Sequence, residues 1–498
     1  MLLLTTTAQL RAYRNDLDGQ NIGFFPTMGA LHPGHLRSID KARRENDIVI
    51  VSIFVNPLQF SPAEDLQRYP QDLEHDRQLC EKAGVDAIFA PTVAQMLGEN
   101  GIATTVVPPE SMTSRLCGRS RTGHFQGVAT IVTKLLNLVQ PDRAYFGIKD
   151  AQQLAIIRRL VADLSIPVEI VACATIREIS GLAYSSRNQY LSSQEKESAA
   201  SLYRSLRSAR TAFRQGVRGS IELVDRVREE LATVSDIQLE YVELVHPETL
   251  EPLETVETVG LLAIAACIGS TRLIDNLQLR QPIVAIDGPA GAGKSTVTRQ
   301  VARQLKLLYL DTGAMYRAVT WWVLDSGMAV DDATVAYALD RCDLELQPDE
   351  EQGCRVWVND REITREIRTP EVTARVSAVS ALPSVRQFLV AQQQRYGRRG
   401  GLVAEGRDIG TCVFPDADVK IFLTASVAER AKRRQKDLEQ QGHGSIDLQE
   451  LEESIAERDR QDSTRAISPL RKAEDAIEVQ TDNLKIEEVI DLIVSYCR

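Results

Sequence analysis

The sequence predicts an α/β protein made of two consecutive parallel-sheet domains. Three observations carry that expectation. Apolar, strand-like runs alternate with helical patterns from residue 21 onward, the order that a doubly wound sheet requires. Residues 26–35 read PTMGALHPGH, and residues 288–295 read GPAGAGKS. Each is a glycine-bearing loop between an apolar run and a helical pattern, where backbone N–H groups can meet phosphate.

Taken in order, NIGFFPT (21–27) reads as a strand that ends in a turn at Pro26. HLRSIDKARREN (35–46) has helical spacing, with Leu36, Ile39 and Ala42 on one face. IVIVSIFV (48–55) is a buried strand, DLEHDRQLCEKAG (72–84) a helix stopped by Gly84, and DAIFAP (86–91) the next strand. GVATIVTKLLNLV (127–139) and QQLAIIRRLVADL (152–164) are helices flanking the strand RAYFG (143–147). From about residue 180 charged helices such as EKESAASLYRSLRSARTAFRQG take over, followed by the strands IQLEYVELV (237–245) and GLLAIAACI (260–268). The expected division is a Rossmann-like domain over 1–178 and a small α+β subdomain over 179–278. TRLIDNLQLRQ (271–281) reads as a connector without a Gly/Ser- or Pro-rich linker, and PIVAID (282–287) starts a new strand in a second domain over 281–498. There, RVWVNDREI (355–363) is a hairpin around Asn-Asp, and DVKIFLTA (418–425) is a strand.

The composition is that of ordinary globular protein, 43% hydrophobic and 26% charged. A net charge of -11 argues against a general nucleic-acid or anionic-membrane binder. The eight cysteines form no CxxC pair and none has zinc-ligand spacing to a histidine, so they read as core thiols in a reducing compartment. MLLLTTTAQL lacks a basic n-region, and the longest apolar runs are too short to span a bilayer. The expectation is a cytoplasmic enzyme acting on small molecules, without nucleic-acid or membrane partners.

LHPGH places His32 and His35 three residues apart where a helix begins, a spacing that shares one helix face. A helix N-terminus offers free N–H groups and a positive dipole end. Gly29 and Gly34 allow close backbone approach to a ligand. Imidazole N–H groups can stabilise charge on an α-phosphate as pyrophosphate leaves. An isolated HxxH is as often a pair of surface histidines. Here other phosphate donors follow: Arg121 and His124 in SRTGHFQGV, Lys149 in FGIKD, and Ser185, Ser186 and Arg187 in AYSSRN. NPLQF adds Asn56 and Gln59 at a strand end, where open α/β sheets bind ligands.

Together PTMGALHPGH, VSIFVNPLQF, GHFQGV, FGIKDAQQLA and SSRN resemble the pantothenate synthetase family of HIGH-type nucleotidylyltransferases, over nearly all of residues 1–278. The resemblance implies an ATP-dependent condensation of pantoate with β-alanine through pantoyl adenylate. His32, His35, Lys149, Ser185, Ser186 and Arg187 would surround the ATP phosphates, with His35 as proton donor and Lys149 and Arg187 also catalytic. Met28, Gly29, Gly147 and Asp150 would line the nucleotide site. Gln59, Gln153 and Asn56 would bind pantoate and β-alanine, the two glutamines at the pantoate hydroxyls. Two positions depart from the family pattern: Ile148 stands where many members carry an acid, and Ser180 where an aspartate is common. Mg²⁺ is implied with ATP; Asp72 and Asp76 are candidate ligands, set against an ordinary solvated helix face. A homodimer through the N-terminal half is also implied.

GPAGAGKS fits GxxxxGK[ST] between the strand PIVAID and the helical TVTRQVARQL. Gly288, Gly291, Gly293 and Thr296 would cradle ATP phosphates, Lys294 would reach the β- and γ-phosphates as the catalytic cation, and Ser295 would hold Mg²⁺. DTGAMYR (311–317), AEGRDIG (404–410), ERAKRR (429–434) and ERDRQDSTR (457–465) bring arginines suited to a second phosphate-bearing substrate. ERAKRR reads equally as a solvated helix face. In ERDRQDSTR, Ser463 and Thr464 are expected to break the helix, which favours a functional role.

DTGAMYR, EIRTPEV, VSAVSALPSVR, GRDIGTCVFPDADVKIFL and ERDRQDSTR resemble bacterial cytidylate kinases, P-loop nucleoside monophosphate kinases with a CMP-binding insertion and a lid, across about 281–498. The resemblance implies ATP-dependent phosphorylation of CMP or dCMP. Arg317, Arg407, Arg458 and Arg465 would bind the CMP phosphate. Ser377, Arg386 and Asp408 would read cytosine, and Asp462 would contact the sugar. Thr312 keeps a hydroxyl in the CMP site where some members have serine. The arginines around 430–434, Arg433 among them, would close over ATP.

Overall fold

The computed structural model describes all residues except 61–65, 67–68, 100, 103, 350–352, 441–446, 466–467 and 498. The chain divides into two compact units, Met1–Leu279 and Arg280–Arg498.

The first unit is built on six strands: β1 (Leu2–Leu4), β2 (Ile22–Thr27), β3 (Ile48–Ile53), β4 (Ala87–Phe89), β5 (Arg143–Gly147) and β6 (Glu169–Cys173). They pair in parallel in the order β1-β4-β3-β2-β5-β6. β2 and β3 are apolar almost throughout because a parallel sheet is covered on both faces. Phe24 and Phe25 show the alternation directly. Phe24 packs with Ile50, Phe89 and the Val128, Ile131 and Leu135 side chains of the His124–Val139 helix. Phe25 packs on the other face with Val49, Val51 and the Ile39 and Ala42 side chains of the Pro33–Glu45 helix. Each buried phenylalanine contributes roughly 1.5–3 kcal/mol.

From β2 the strand order runs outward through β3 and β4, then returns to β5 and β6 on the opposite side. The switch point is thus the crevice between the C-terminal ends of β2 and β5, where such sheets bind ligands. The PTMGALHPGH loop follows β2 and FGIKD follows β5, so the two motifs meet there.

The rest of this unit packs the Ser193–Arg214 and Ser220–Ala232 helices on antiparallel β7 (Ile237–Val245) and β8 (Val259–Ile268). The longer helix opens with a capping box between Ser192 and Glu195. The connector expected over 271–281 is instead strand. β9 runs unbroken from Thr271 to Asp287, across the boundary between the units. Thr271, Leu273, Asp275, Leu277 and Leu279 are buried at period two. The charged Asp275 at a core position hides that period in the sequence.

In the second unit β10 (Leu308–Asp311), β14 (Gly400–Gly406), the later part of β9, β15 (Val419–Thr424) and β16 (Ile477–Gln480) form a parallel sheet in that order. The loop GPAGAGKS leaves the central strand β9. A separate antiparallel sheet joins β11 (Leu344–Asp349), β12 (Gly353–Val358) and β13 (Arg361–Glu362). Asn359 and Asp360 turn that hairpin with φ of 47° and 62°, the conformation a two-residue turn demands. One helix runs Leu448–Thr464 and Arg465 is its C-cap, so the helix ends at the Ser463 and Thr464 pair where the sequence suggested a break. Thr464 Oγ1 donates to the Arg460 carbonyl at 2.7 Å, so its hydroxyl is satisfied within the helix. Among the described residues no helix is long and apolar enough to cross a membrane.

Two candidate nucleotide sites

A cavity of about 270 Å³ opens at the switch point of the first unit. His32 is the N-cap of the Pro33–Glu45 helix, with φ −136° and ψ 171°, and His35 lies in its first turn. The pair therefore meets as cap and first turn, not as two positions on one helix face. Their rings stack with centroids 3.8 Å apart and planes 19° apart. Phe25 closes edge-on against His35 at 5.8 Å. Both Nδ1 atoms are buried without a hydrogen-bond partner. Burial, with the charge of Lys149, pushes His32 down to about 4. Burial, then His32 and Lys149, holds His35 well below the usual imidazole range. At neutral pH both rings are uncharged N–H donors.

Lys149, Asp150 and Gly147 line the same cavity from the end of β5, as do Ser185, Ser186 and Arg187. Burial lowers the Lys149 pKa, with Asp150 and Asp275 opposing it. Asn276 fixes this turn by donating to the carbonyls of Ile148 at 2.9 Å and Lys149 at 2.8 Å. Met28 and Gln153 complete the expected lining. Gly29 does not line it. Its φ is +87°, and a Cβ there would lie 2.7 Å from Asp76 Oδ2.

Asp76 and Asp72, the candidate metal ligands, are both engaged by backbone N–H groups, and neither borders the cavity. Asp76 is buried and accepts from the backbone N–H of Ala30 at 2.9 Å and of Leu31 at 2.8 Å. Both its oxygens hold the histidine loop. Asp72 caps its own helix by accepting from His75 N at 3.0 Å. Among the described residues no three His, Cys, Asp or Glu side chains gather as a metal cluster.

At the other end of the cavity Asn56 donates to Gln59 Oε1 at 3.1 Å and to the Gly127 carbonyl at 3.2 Å. Gln59 Nε2 lies 2.8 Å from Met28 Sδ. Gly127 admits this turn: a Cβ there would lie 2.3 Å from the Leu58 carbonyl oxygen. Arg121 and His124 line the cavity, and they also clamp the turn. His124 Nδ1 sits 2.8 Å from the Gln59 carbonyl, and Arg121 reaches the same oxygen at 3.3 Å. Burial and the Arg121 charge lower His124 to about 4, so the neutral ring donates through Nδ1 and accepts from Arg121 at Nε2. Sequence reasoning missed Tyr184, stacked on His32 at 6.2 Å, and the half-buried Tyr69. Tyr184 adjoins the serine motif and was findable; Tyr69 belongs to no motif.

The half-buried His32 and the buried His124 give a pH signature. Unfolded imidazoles titrate near 6.5, while folded His32 and His124 titrate near 4. As pH falls the unfolded chain binds protons first. The contribution of the neutral rings is therefore complete above about pH 6.5 and is lost progressively down to about 4. Hydrogen exchange of β2 and β3 in the full chain is expected to show falling stability between neutral pH and pH 5. Constant protection across that range would contradict neutral rings at His32 and His124.

In the second unit Gly288 passes against β15: a Cβ would lie 1.9 Å from the Leu423 carbonyl oxygen. Gly291 and Gly293 carry the rest of the loop with φ of 77° and 87°. Lys294 is buried and folds back, donating from Nζ to the Pro289 carbonyl at 2.7 Å. Burial, aided by Arg407, lowers its pKa to about 7. Asp287 accepts from the N–H groups of Ile409 at 2.8 Å and Gly410 at 2.7 Å, tying the end of β9 to AEGRDIG. Burial raises its pKa to about 6. Ser295 and Thr296 are exposed in the first helical turn.

Arg386 and Asp408 form a buried ion pair. Arg465 stands 3.8 Å from the other Asp408 oxygen. Arg407 donates to Asp462 at 2.8 Å and to the Gly288 carbonyl at 3.1 Å, which joins the two halves of this site. Burial, then Arg407, lowers the pKa of Arg458, which also feels Asp462 and Arg317. Arg317 itself holds Thr373 at 2.9 Å. Thr312 Oγ1 donates to the Glu405 carbonyl at 2.6 Å. Ser377 is exposed on the Pro370–Ser380 helix.

The ERAKRR run is not simply a solvated face. Arg430 is 3% exposed and pairs with Asp459 at 3.0 and 2.5 Å while donating to the Ala290 carbonyl of the phosphate loop at 3.1 Å. Arg433 lies near Gly293 but is engaged by Glu429 at 3.0 Å and by Thr481 at 3.2 and 3.0 Å. Sequence reasoning missed Arg430 because a single arginine in a charged run carries no mark of burial.

Residues 2–278 match the family model for pantoate-beta-alanine ligase, and residues 284–498 that for cytidylate kinase. A relative from Nostoc sp., described as a bifunctional pantoate ligase/cytidylate kinase, is 61% identical and covers 100% of this chain and 98% of its own. A relative of the same description from Thermosynechococcus vestitus is 56% identical, covering 99% and 98%. The crystal structure of pantothenate synthetase from Thermus thermophilus aligns with a TM-score of 0.54 and 48% identity, over 56% of this chain and 100% of that one.

Proposed function

This chain belongs to the bifunctional pantoate ligase/cytidylate kinase family, and from that premise we propose how its two sites act. The first unit condenses pantoate with β-alanine at the expense of ATP, giving pantothenate, AMP and pyrophosphate. The second transfers a phosphoryl group from ATP to CMP or dCMP.

In the ligase site the pantoate carboxylate is already ionised, so the first step needs positioning and charge neutralisation, not a base. The carboxylate attacks the α-phosphorus of ATP, forming pantoyl adenylate as pyrophosphate leaves. Uncharged His32 and His35 donate N–H groups to the phosphate oxygens. Lys149, Arg187 and the hydroxyls of Ser185 and Ser186 take up the remaining charge, while Met28, Gly147 and Asp150 border the nucleotide. Gln59, oriented by Asn56, and Gln153 hold pantoate. The β-alanine amine then attacks the acyl carbon and expels AMP. The observation that carries this reading is the stacked histidine pair facing Lys149 and the serine hydroxyls in one cavity. Labelled pyrophosphate should exchange into ATP when pantoate is present and β-alanine is absent. No pantoate-dependent exchange would rule out the acyl-adenylate route.

In the kinase site the second phosphate pKa of CMP is about 6, so the acceptor is largely a dianion and needs no base. Arg317, Arg407, Arg458 and Arg465 orient that phosphate. Asp408, held by Arg386, accepts from the cytosine N4 amine. Lys294 leaves the Pro289 carbonyl for the β- and γ-phosphates. The exposed Ser295 hydroxyl, a hard oxygen donor in the first turn, suits Mg²⁺, which screens phosphate charge when bound.

A further inference from the structure

We propose that Asp275 and Asn276, neighbours on β9, are positioning residues for adenylate formation: together they fix Lys149 and the Ser185–Arg187 loop at one spacing around the ATP phosphates. The inference rests on the ligase reading of the first unit and adds to it two residues that stand behind the cavity wall. Lys149 follows β5 and the serine loop follows β6, so these phosphate-binding groups leave neighbouring strands on separate segments. A third segment, β9, sets their relative position. Asn276 is 8% exposed, and its Nδ2 donates to the carbonyls of Ile148 at 2.9 Å and Lys149 at 2.8 Å. The lysine turn is pinned through its backbone, which leaves the Lys149 side chain to the cavity it lines.

Asp275 is 4% exposed and accepts from Arg177 Nη1 at 2.6 Å and Nη2 at 2.9 Å. The same guanidinium lies 3.6 Å over the Tyr203 ring and donates to the Gly181 carbonyl at 3.2 Å. Arg177 opens a tight hairpin: it bridges to Ala183, and Tyr184 N donates to the Ile176 carbonyl at 3.0 Å. Ser185 is the next residue, so the clamp on Arg177 sets where the serine loop begins. Asp275 Oδ1 also accepts from Asn276 N at 2.8 Å, which locks the two anchors to each other. Stability alone does not account for an acid here. Asp275 sits between Leu273 and Leu277 on the buried face of β9, and a buried ion pair is commonly no more stable than its apolar replacement. What the two-pronged pair supplies is direction. Asp275 also opposes the loss of charge that burial imposes on Lys149.

The test compares the two half-reactions of the full chain. Pantoate-dependent exchange of labelled pyrophosphate into ATP reads the step that engages the whole triphosphate. Conversion of supplied pantoyl adenylate by β-alanine reads a step that engages a single phosphate. Asn276→Ala should slow the exchange at saturating ATP on the order of 10²-fold, a cost that misplacement by about 1 Å can reach. The second half-reaction should stay close to the wild-type rate. Unchanged exchange, or equal losses in both half-reactions, would overturn the proposal and leave Asn276 a structural residue. If that variant does not fold, Arg177→Lys, which keeps the charge beside Asp275 but not the fork, reads the same ratio with the same outcomes. A wild-type chain without pantoate-dependent exchange would instead overturn the ligase reading beneath it.

Discussion

Lys294→Ala is expected to silence CMP phosphorylation and leave pantothenate formation at the wild-type rate. Lys294 begins the helix after the phosphate loop and is folded onto the Pro289 carbonyl at 2.7 Å, a contact that a bound triphosphate replaces. Its removal takes the loop's own cation from the β- and γ-phosphates. Deleting one preorganised charge-stabilising group typically costs about 10²–10³ in turnover. His35→Ala should do the reverse, since it removes one ring of the stacked pair and lies in the other unit. Initial rates of CDP and pantothenate formation from one preparation of each variant decide the matter. Loss of both activities in either variant would contradict two separate sites.

Asp408→Ala should be the most damaging single change to the kinase unit. It leaves Arg386 buried with its charge uncompensated, and breaking a buried pair from one side costs about 3–5 kcal/mol. It also removes the acceptor for the cytosine amine. The double change Arg386→Met with Asp408→Leu separates these effects. Replacing both charges by apolar groups should restore most of the denaturation midpoint, while the KM for CMP stays high. A single variant with wild-type stability and wild-type KM would show that the pair is neither buried support nor base reader.

Much of this was legible because phosphate chemistry leaves dense local signatures. GPAGAGKS and PTMGALHPGH were readable as loops between strand and helix, and the apolar runs of β2 and β3 announced a covered parallel sheet. The hairpin at Asn359 and Asp360 was readable from turn chemistry alone. What escaped depends on contacts distant in sequence. Asp76 looked like a helix-surface acid, yet it holds the histidine loop from 45 positions away. Arg121 and His124 looked like phosphate donors, and nothing local says that they also clamp the Gln59 carbonyl. Asp275 broke the apolar period of β9 because Arg177, donating at 2.6 and 2.9 Å, lets a carboxylate occupy a core position.

The most direct measurement is product identification by mass spectrometry after incubating the chain with ATP, Mg²⁺, pantoate, β-alanine and CMP together. Two independent sites predict pantothenate with AMP and CDP with ADP, each pair forming at the rate seen when the other acceptor is left out. Appearance of only one pair, or a rate for one that depends on the acceptor of the other, would contradict two complete and independent active sites on one chain.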